Sequence, residues 1–201
     1  MASRTGLWRA TPAVVFLVAL ASACSEVSAP LDPSAKMRDV VTPDGQKLTQ
    51  TCVPTGPERC FDAKDDNCNG VIDEGCGLQT GVLQFTIAWG EATADVDLEV
   101  TDPEGDLATT EGPTRSGLSK DRDCPRAGAD CYGQNVENVF LGEGEPARGR
   151  YRVVVRLDSL GQATPPLRVQ LGARVGQRTF GIPLELSPGR ATEEKVFEFT
   201  L

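Results

Sequence analysis

The chain has 201 residues, with 29 acidic and 20 basic side chains, a formal net charge of −9 and no histidine. The acidic balance argues against nucleic acid and anionic membrane surfaces as partners, because both require a basic face. The lack of histidine excludes His-based catalytic triads and most transition-metal sites.

The N-terminus predicts an exported protein. Arg4 and Arg9 precede an apolar run at residues 13–21, and Ser22-Ala23-Cys24 follows directly. This order of a basic, an apolar and a small-residue region is typical of a secretory signal. The apolar run is shorter than the roughly 20 residues that a transmembrane helix requires. We therefore predict a signal peptide over residues 1–23.

The small residues before Cys24 resemble the lipobox of bacterial lipoproteins, although Ala21 stands where that family prefers leucine. In that family a dedicated peptidase cuts before the cysteine, and the thiol carries a diacylglycerol. The resemblance implies lipidation of Cys24 and a lipid-anchored place in the cell envelope, at the outer membrane. The alternative is a signal cleaved after Ala23, which leaves a secreted protein with an unpaired cysteine.

Residues 24–50 are rich in Ser, Ala, Pro and Asp, a composition that predicts a disordered, flexible linker. If Cys24 is lipidated, an even number of cysteines remains, which in an exported chain indicates disulfides. We expect a local disulfide between Cys124 and Cys131. The other four cysteines allow three connectivities, of which we favour neighbouring pairs. The six are Cys52, Cys60, Cys68, Cys76, Cys124 and Cys131.

Residues 51–78 form a disulfide-rich acidic segment with too few apolar residues for a core of its own. Its motif begins at Asp65 and follows the alternating pattern of an EF-hand-type calcium loop, with Gly70 at the sharp turn. Cys76 replaces the final bidentate glutamate, so Glu74 substitutes for it, and we expect an affinity of about 10⁻⁴ to 10⁻³ M. The predicted ligands are Asp65, Asn67, Asn69, Val71 through its carbonyl, Asp73 and Glu74.

The same loop resembles the calcium loops of thrombospondin type 3 and dockerin modules. The stretch from Glu58 to Cys76 also resembles a short metal-binding motif of myxobacterial surface proteins, whose family label implies copper. Copper disagrees with the hard oxygen ligands present here, so we predict calcium. The alternatives are an acidic turn without an ion, copper, and zinc bound by four thiolates.

Residues 79–201 predict an all-β domain. Apolar and polar residues alternate along residues 83–89, 96–100, 151–157, 167–171 and 197–201. A period of two with one apolar face indicates half-buried strands. Short strands separated by Gly and Pro predict an antiparallel, jelly-roll-like β-sandwich. We expect residues 103–134 to form one long loop that the Cys124–Cys131 disulfide closes.

A series of motifs in this domain runs from Trp89, through residues 95–105 and 121–124, to residues 135–140 and 149–153. The series resembles a family of secreted bacterial β-sandwich domains of unknown function, related to the pre-peptidase C-terminal domains, which are accessory and not catalytic. Acidic side chains within the series predict either a second metal site or a solvated strand face. The candidate ligands are Asp95, Asp97, Asp121, Asp123, Asn135 and Glu137.

These features favour a non-catalytic, calcium-stabilised surface module that binds an envelope protein or a glycan. The alternative is a metal-handling lipoprotein in which the acidic Cys segment is itself the functional site. Asp95 and Asp97 form the kind of carboxylate pair that glycosidases use. However, the chain has only two Trp and two Tyr to line a sugar cleft, so we expect no enzyme.

Overall fold

The computed structural model describes residues 52–126, 131–189 and 193–201. The predicted signal peptide, Cys24 and the linker lie outside these described residues. Within them the chain is all-β. We find no described helix that is long and apolar enough to cross a membrane. The strands are β1 (Leu83–Trp89), β2 (Asp95–Thr101), β3 (Ser119–Asp123), β4 (Val136–Leu141), β5 (Arg150–Ser159), β6 (Leu167–Val175), β7 (Arg178–Leu186) and β8 (Glu194–Thr200).

The strands form two antiparallel sheets, which confirms the predicted sandwich. The five-stranded sheet has the order β3-β4-β1-β6-β7, and the three-stranded sheet has the order β2-β5-β8. The hydrophobic core lies between them. Phe85 of β1 meets Phe199 of β8 edge to face, with ring centroids 5.0 Å apart. Such aromatic contacts stabilise the fold by more than the burial of their apolar area alone.

Strand β2 has the predicted pattern, whereas β1 does not. Val96, Leu98 and Val100 are buried, and the residues between them are partly exposed. In β1 all seven residues are buried. The outward face of β1, which includes Gln84 and Thr86, is therefore covered by another part of the chain.

The acidic Cys segment (residues 52–78) provides that cover. The Gln84 side-chain amide donates to the carbonyl of Ile72 at 3.3 Å. Gly172 of β6, directly opposite Thr86, lies so close to the segment that a Cβ atom would stand 2.4 Å from the Ala63 carbonyl oxygen. Ala63 and Ile72 are almost fully buried. The segment thus packs on the outer face of the five-stranded sheet.

The prediction of one long loop over residues 103–134 is wrong in part, because β3 lies within it and pairs with β4. The sequence of β3, Ser-Lys-Asp-Arg-Asp, has no apolar alternation. It is an edge strand, and edge strands commonly carry charged residues. The expected disulfide between Cys124 and Cys131 is present.

Replacing Gly172 with alanine tests the close packing of the Cys segment. The added methyl group would overlap the Ala63 carbonyl, so we expect a loss of about 1–3 kcal/mol in the free energy of unfolding. Urea denaturation measures this loss. Gly90→Ala is the control, because a Cβ atom at Gly90 meets no atom within 4 Å. Equal stability of the two variants would contradict this packing.

Candidate metal centre

Two crossed disulfides hold the Cys segment. Cys52 pairs with Cys68, and Cys60 pairs with Cys76, each across 16 residues. The predicted preference for neighbouring pairs is therefore wrong. The crossed pairs tie the first half of the segment to the second, and the amide of Thr55 donates to the carbonyl of Asp66 across them. Neighbouring pairs would have closed two separate small loops.

Asp73 anchors the backbone of the segment. One carboxylate oxygen accepts hydrogen bonds from the amides of Phe61 at 2.7 Å and Asp62 at 3.3 Å, and the other accepts from Ala63 at 3.0 Å. Burial raises the pKa of Asp73 to about 6, although these hydrogen bonds act to lower it. Because the Asp73 carboxylate binds the amides of residues 61–63, which lie outside the loop that follows Asp65, we leave Asp73 out of the proposed ligand set.

Two further carboxylates, Glu58 and Asp66, have similar structural roles. Glu58 accepts from the amides of Asp73 at 3.0 Å and Asp66 at 3.2 Å. Burial, with the negative charge of Glu74, raises the pKa of Glu58 to about 7. Asp66 accepts from Arg59 and from the Thr55 hydroxyl, and these hydrogen bonds hold its pKa below the usual range. The sequence motif gave no sign of these two roles.

The loop that follows Asp65 turns its side-chain oxygens back towards its own amides. Asp65 accepts from the amides of Asn69 and Gly70, each at 3.0 Å. Asn67 accepts from Asn69, and Asn69 accepts from Val71, each at 2.9 Å. These short-range bonds wrap the chain around one point, as alternating Asx residues do in calcium loops.

The carboxylate of Glu74 faces this loop. Its Oε1 atom accepts from the side-chain amides of Asn67 at 2.6 Å and Asn69. Its Oε2 atom is buried and has no hydrogen-bond partner among the described residues. A buried carboxylate oxygen without a partner is unfavourable by about 1–3 kcal/mol or more. The structure thus brings together the predicted ligands Asp65, Asn67, Asn69 and Glu74.

The hairpin of β6 and β7 borders the loop on its other side. The Thr179 hydroxyl donates to Asp65 at 2.8 Å. Gly70 has a φ of 87°, and a Cβ atom there would stand 3.0 Å from the carbonyl oxygen of Gln177. Arg174 lies opposite Thr179 in the register. Burial lowers the pKa of Arg174, and the charges of Asp65 and Glu74 act against this shift. These residues were not predicted as part of the site, because more than 100 positions separate them from Asp65.

The residues of the predicted second metal site are arranged around basic side chains. Lys120 lies 2.5 Å from Asp123 and 2.8 Å from Glu137, and Arg156 lies 2.9 Å from Asp97. Burial and the charges of Asp97, Asp158 and Asp123 raise the pKa of Asp95. Since the chain supplies its own cations here, the geometry offers no support for a metal ion.

The other two candidates of the second site have structural contacts with distant parts of the chain. Asp121 accepts from the backbone amide of Gln79 at 2.8 Å and from the Asn138 side chain at 2.6 Å. The carbonyl of Asn135 accepts from the amide of Trp89. In residues 52–126, 131–189 and 193–201, no three Cys, Asp or Glu side chains form a group that could hold a metal. A metal in the Asp65 loop would therefore depend on asparagine and backbone oxygens as well.

Comparison with protein-family models finds no match to this chain. Comparisons with curated proteins and with solved structures find no match either. Function must therefore be inferred from the site itself.

The raised pKa values of Glu58 and Asp73 predict that mild acid stabilises the protein. Their folded pKa values, about 7 and about 6, exceed the ordinary values of 4.5 and 3.8. Between these limits the folded state binds more protons than the unfolded state, so stability falls as the pH rises. Thermal unfolding without added divalent cations should show a higher midpoint at about pH 5 than at about pH 8.

Glu58→Gln is the control for this pH dependence, because glutamine does not titrate. We expect a smaller difference between the two midpoints in this variant. A wild-type midpoint that rises from the acidic to the alkaline condition would contradict the assigned burial of these carboxyl groups.

Proposed function

We propose that this protein is a non-catalytic lipoprotein of the cell envelope, stabilised by calcium, that acts as a surface binding module. The observation that carries the calcium proposal is the unpartnered, buried Oε2 atom of Glu74 beside the wrapped Asp65 loop. A cation at this point would give that oxygen a partner. Cys24 would attach the module to the membrane through its lipid.

The ligand chemistry favours calcium. Asp65, Asn67, Asn69 and Glu74 offer hard side-chain oxygens, and Val71 offers a backbone carbonyl. Calcium takes six to eight such oxygens, with water completing the shell. Two carboxylates give the site a charge that suits a divalent cation, although Arg174 nearby reduces it. A weak, extracellular type of affinity agrees with this set of ligands.

The sulfur chemistry disfavours the metal-handling alternative. Copper and zinc sites in proteins are built mainly from histidine and cysteine side chains, and the chain has no histidine. All four cysteines of the segment are in disulfides. The four-thiolate zinc site is therefore incompatible with this structure, and copper lacks its preferred ligands.

A groove of about 970 Å³ supports the role as a binding module. It runs between the Cys segment and strands β7 and β8, and its apolar lining includes Phe61, Ile182, Leu184 and Phe197. Mostly apolar clefts of this size, with a few polar groups, commonly bind small ligands. An envelope protein or glycan that binds here would contact both the Cys segment and the sandwich.

Calorimetric titration of the chain from Ser25 onward tests the calcium proposal. We expect one calcium ion to bind with a Kd of about 10⁻⁴ to 10⁻³ M. At a hundredfold excess over Kd, binding should stabilise the fold by about 2.7 kcal/mol, seen as a higher melting temperature. Copper should leave the melting temperature unchanged.

Two matched variants locate the bound ion. Glu74→Gln should weaken calcium binding at least tenfold, because it removes one of the two carboxylates of the site. Asp97→Asn should bind calcium as the wild type does, since Arg156 neutralises Asp97 in the structure. If calcium has no effect on the wild type, or binds Glu74→Gln equally well, the calcium proposal is wrong.

Metabolic labelling with a fatty acid tests the lipid anchor. In the native host the wild-type chain should take up the label and fractionate with membranes, whereas Cys24→Ser should do neither, because a serine cannot receive the thioether-linked lipid. Label in neither protein would favour the secreted alternative.

A further inference from the structure

An amine and two carboxyl groups lie together near one end of the sandwich, on the core-facing side of the five-stranded sheet. A bulge at Asp121 shifts the register of β3, so that Lys120 pairs with Val139 while Asp123 pairs with Glu137. Positions 137 and 139 of β4 share a face, and Val139 belongs to the hydrophobic core. The bulge therefore turns Lys120 and Asp123 to the same inner face as Glu137.

The three side chains are in close contact. The Lys120 Nζ atom lies 2.5 Å from Oδ1 of Asp123 and 2.8 Å from Oε2 of Glu137. The side chains of Lys120 and Glu137 are only 11% and 2% exposed. The backbone N–H of Leu98 in β2 donates to the same Oε2 atom at 2.6 Å. A primary amine thus lies against a carboxyl group that a backbone donor polarises.

The two carboxyl groups differ in their surroundings. Burial raises the pKa of Glu137 to about 8, although the charge of Lys120 acts to lower it. Burial also acts on Asp123, but hydrogen bonds from Glu137 and Lys120 lower its pKa overall. Asp123 has a second cation, Arg126, at 3.1 Å. The pKa of Lys120 is raised overall, because the charge of Glu137 and the contacts with Asp123 outweigh the effect of burial. The contact distances, and not these pKa shifts, place the amine against the Glu137 carboxyl group and the Asp123 carboxylate.

We propose that Lys120 and Glu137 condense to form an intramolecular amide that links β3 covalently to β4, with Asp123 as the proton relay. Asp123 accepts a proton from the Lys120 ammonium. The free Nζ lone pair then attacks the carboxyl carbon Cδ of Glu137 and forms the C–N bond. The N–H of Leu98 stabilises the negative charge that develops on Oε2, as an oxyanion-hole donor does.

The second half of the step releases water. The carbon–oxygen bond to the hydroxyl group breaks, Asp123 gives its proton to the departing hydroxyl, and Asp123 takes up a proton from the nitrogen. Ammonium and carboxylic acid become amide and water, and one proton remains on Asp123 until it passes to solvent. Nothing is oxidised or reduced.

Two physical arguments favour this reaction. Groups held at contact distance react with an effective concentration of up to about 10⁵–10⁸ M, which removes most of the entropic barrier. The product also replaces a buried ammonium with a neutral amide, and buried charge is costly in a medium of low dielectric constant. The link would fasten edge strand β3 to the rest of its sheet, independently of whether the Asp65 loop binds calcium.

Mass spectrometry of the full chain tests the proposal. After reduction of the disulfides, the wild-type protein should be lighter than its unlinked form by the mass of one water molecule. Trypsin should not cleave at Lys120, and the digest should contain one branched peptide that joins residues 116–122 to residues 127–148. Lys120→Arg keeps the positive charge but lacks the amine, so it should show the full mass and no branched peptide.

Asp123→Asn tests the relay, because it keeps a hydrogen-bonding side chain of the same size without the base. We expect this variant to be mostly unlinked, although its circular dichroism spectrum is that of the wild type. A wild-type chain of full mass, with normal cleavage after Lys120, would overturn the proposal, and this result does not depend on the folding of any variant. A link from Lys120 to Asp123, found by fragmentation of the peptide, would also overturn it.

Discussion

The close approach of the Ala63 carbonyl to Gly172 is the contact on which the rest of the arrangement depends. A side chain at position 172 would hold the Cys segment away from the sheet. With glycine there, Ile72 lies buried against the outer face, and Gln84 meets a carbonyl instead of water. The segment has too few apolar residues to fold around a core of its own. It therefore packs against the outer face of the sheet. In return, the segment covers the polar side chains of the central strand β1.

Carboxylates perform different tasks in this acidic chain, and their surroundings decide which. Asp73 lies buried under three backbone amides and shapes the segment, whereas Glu74, the next residue, faces the wrapped loop with one oxygen unpartnered. Glu137 lies 2.8 Å from Lys120, which also pairs with Asp123. Since the cost of a buried charge depends on its partners, acids in different surroundings take different roles: Asp73 is a structural anchor, and we propose Glu74 as a cation ligand and Glu137 as a reactive acid.

Sequence alone predicted the features that depend on residues close together in the chain. The alternation of Val96, Leu98 and Val100 predicted the half-buried strand, and the short loop between Cys124 and Cys131 predicted their disulfide. An equal spacing of eight residues between the other four cysteines could not distinguish crossed from neighbouring pairs. Strand β3 was missed because its charged residues meet partners from β4, and the contact of Thr179 with Asp65 was missed because only the folded sheet brings them together. Asp73 was predicted as a ligand from its position in the calcium-loop pattern. Its actual partners are backbone amides, which no pattern of side chains reveals.

We infer that Asp65, Asn67, Asn69 and Glu74 form one cation site, whereas Asp73 shapes the segment around it. A crystal structure of the chain grown with calcium tests this inference. We expect one ion bound by oxygens of those four side chains, with Oε2 of Glu74 among the ligands and Asp73 still bound to the amides of residues 61–63. An ion coordinated by Asp73, or a calcium-saturated crystal with no ion at Glu74, would contradict it.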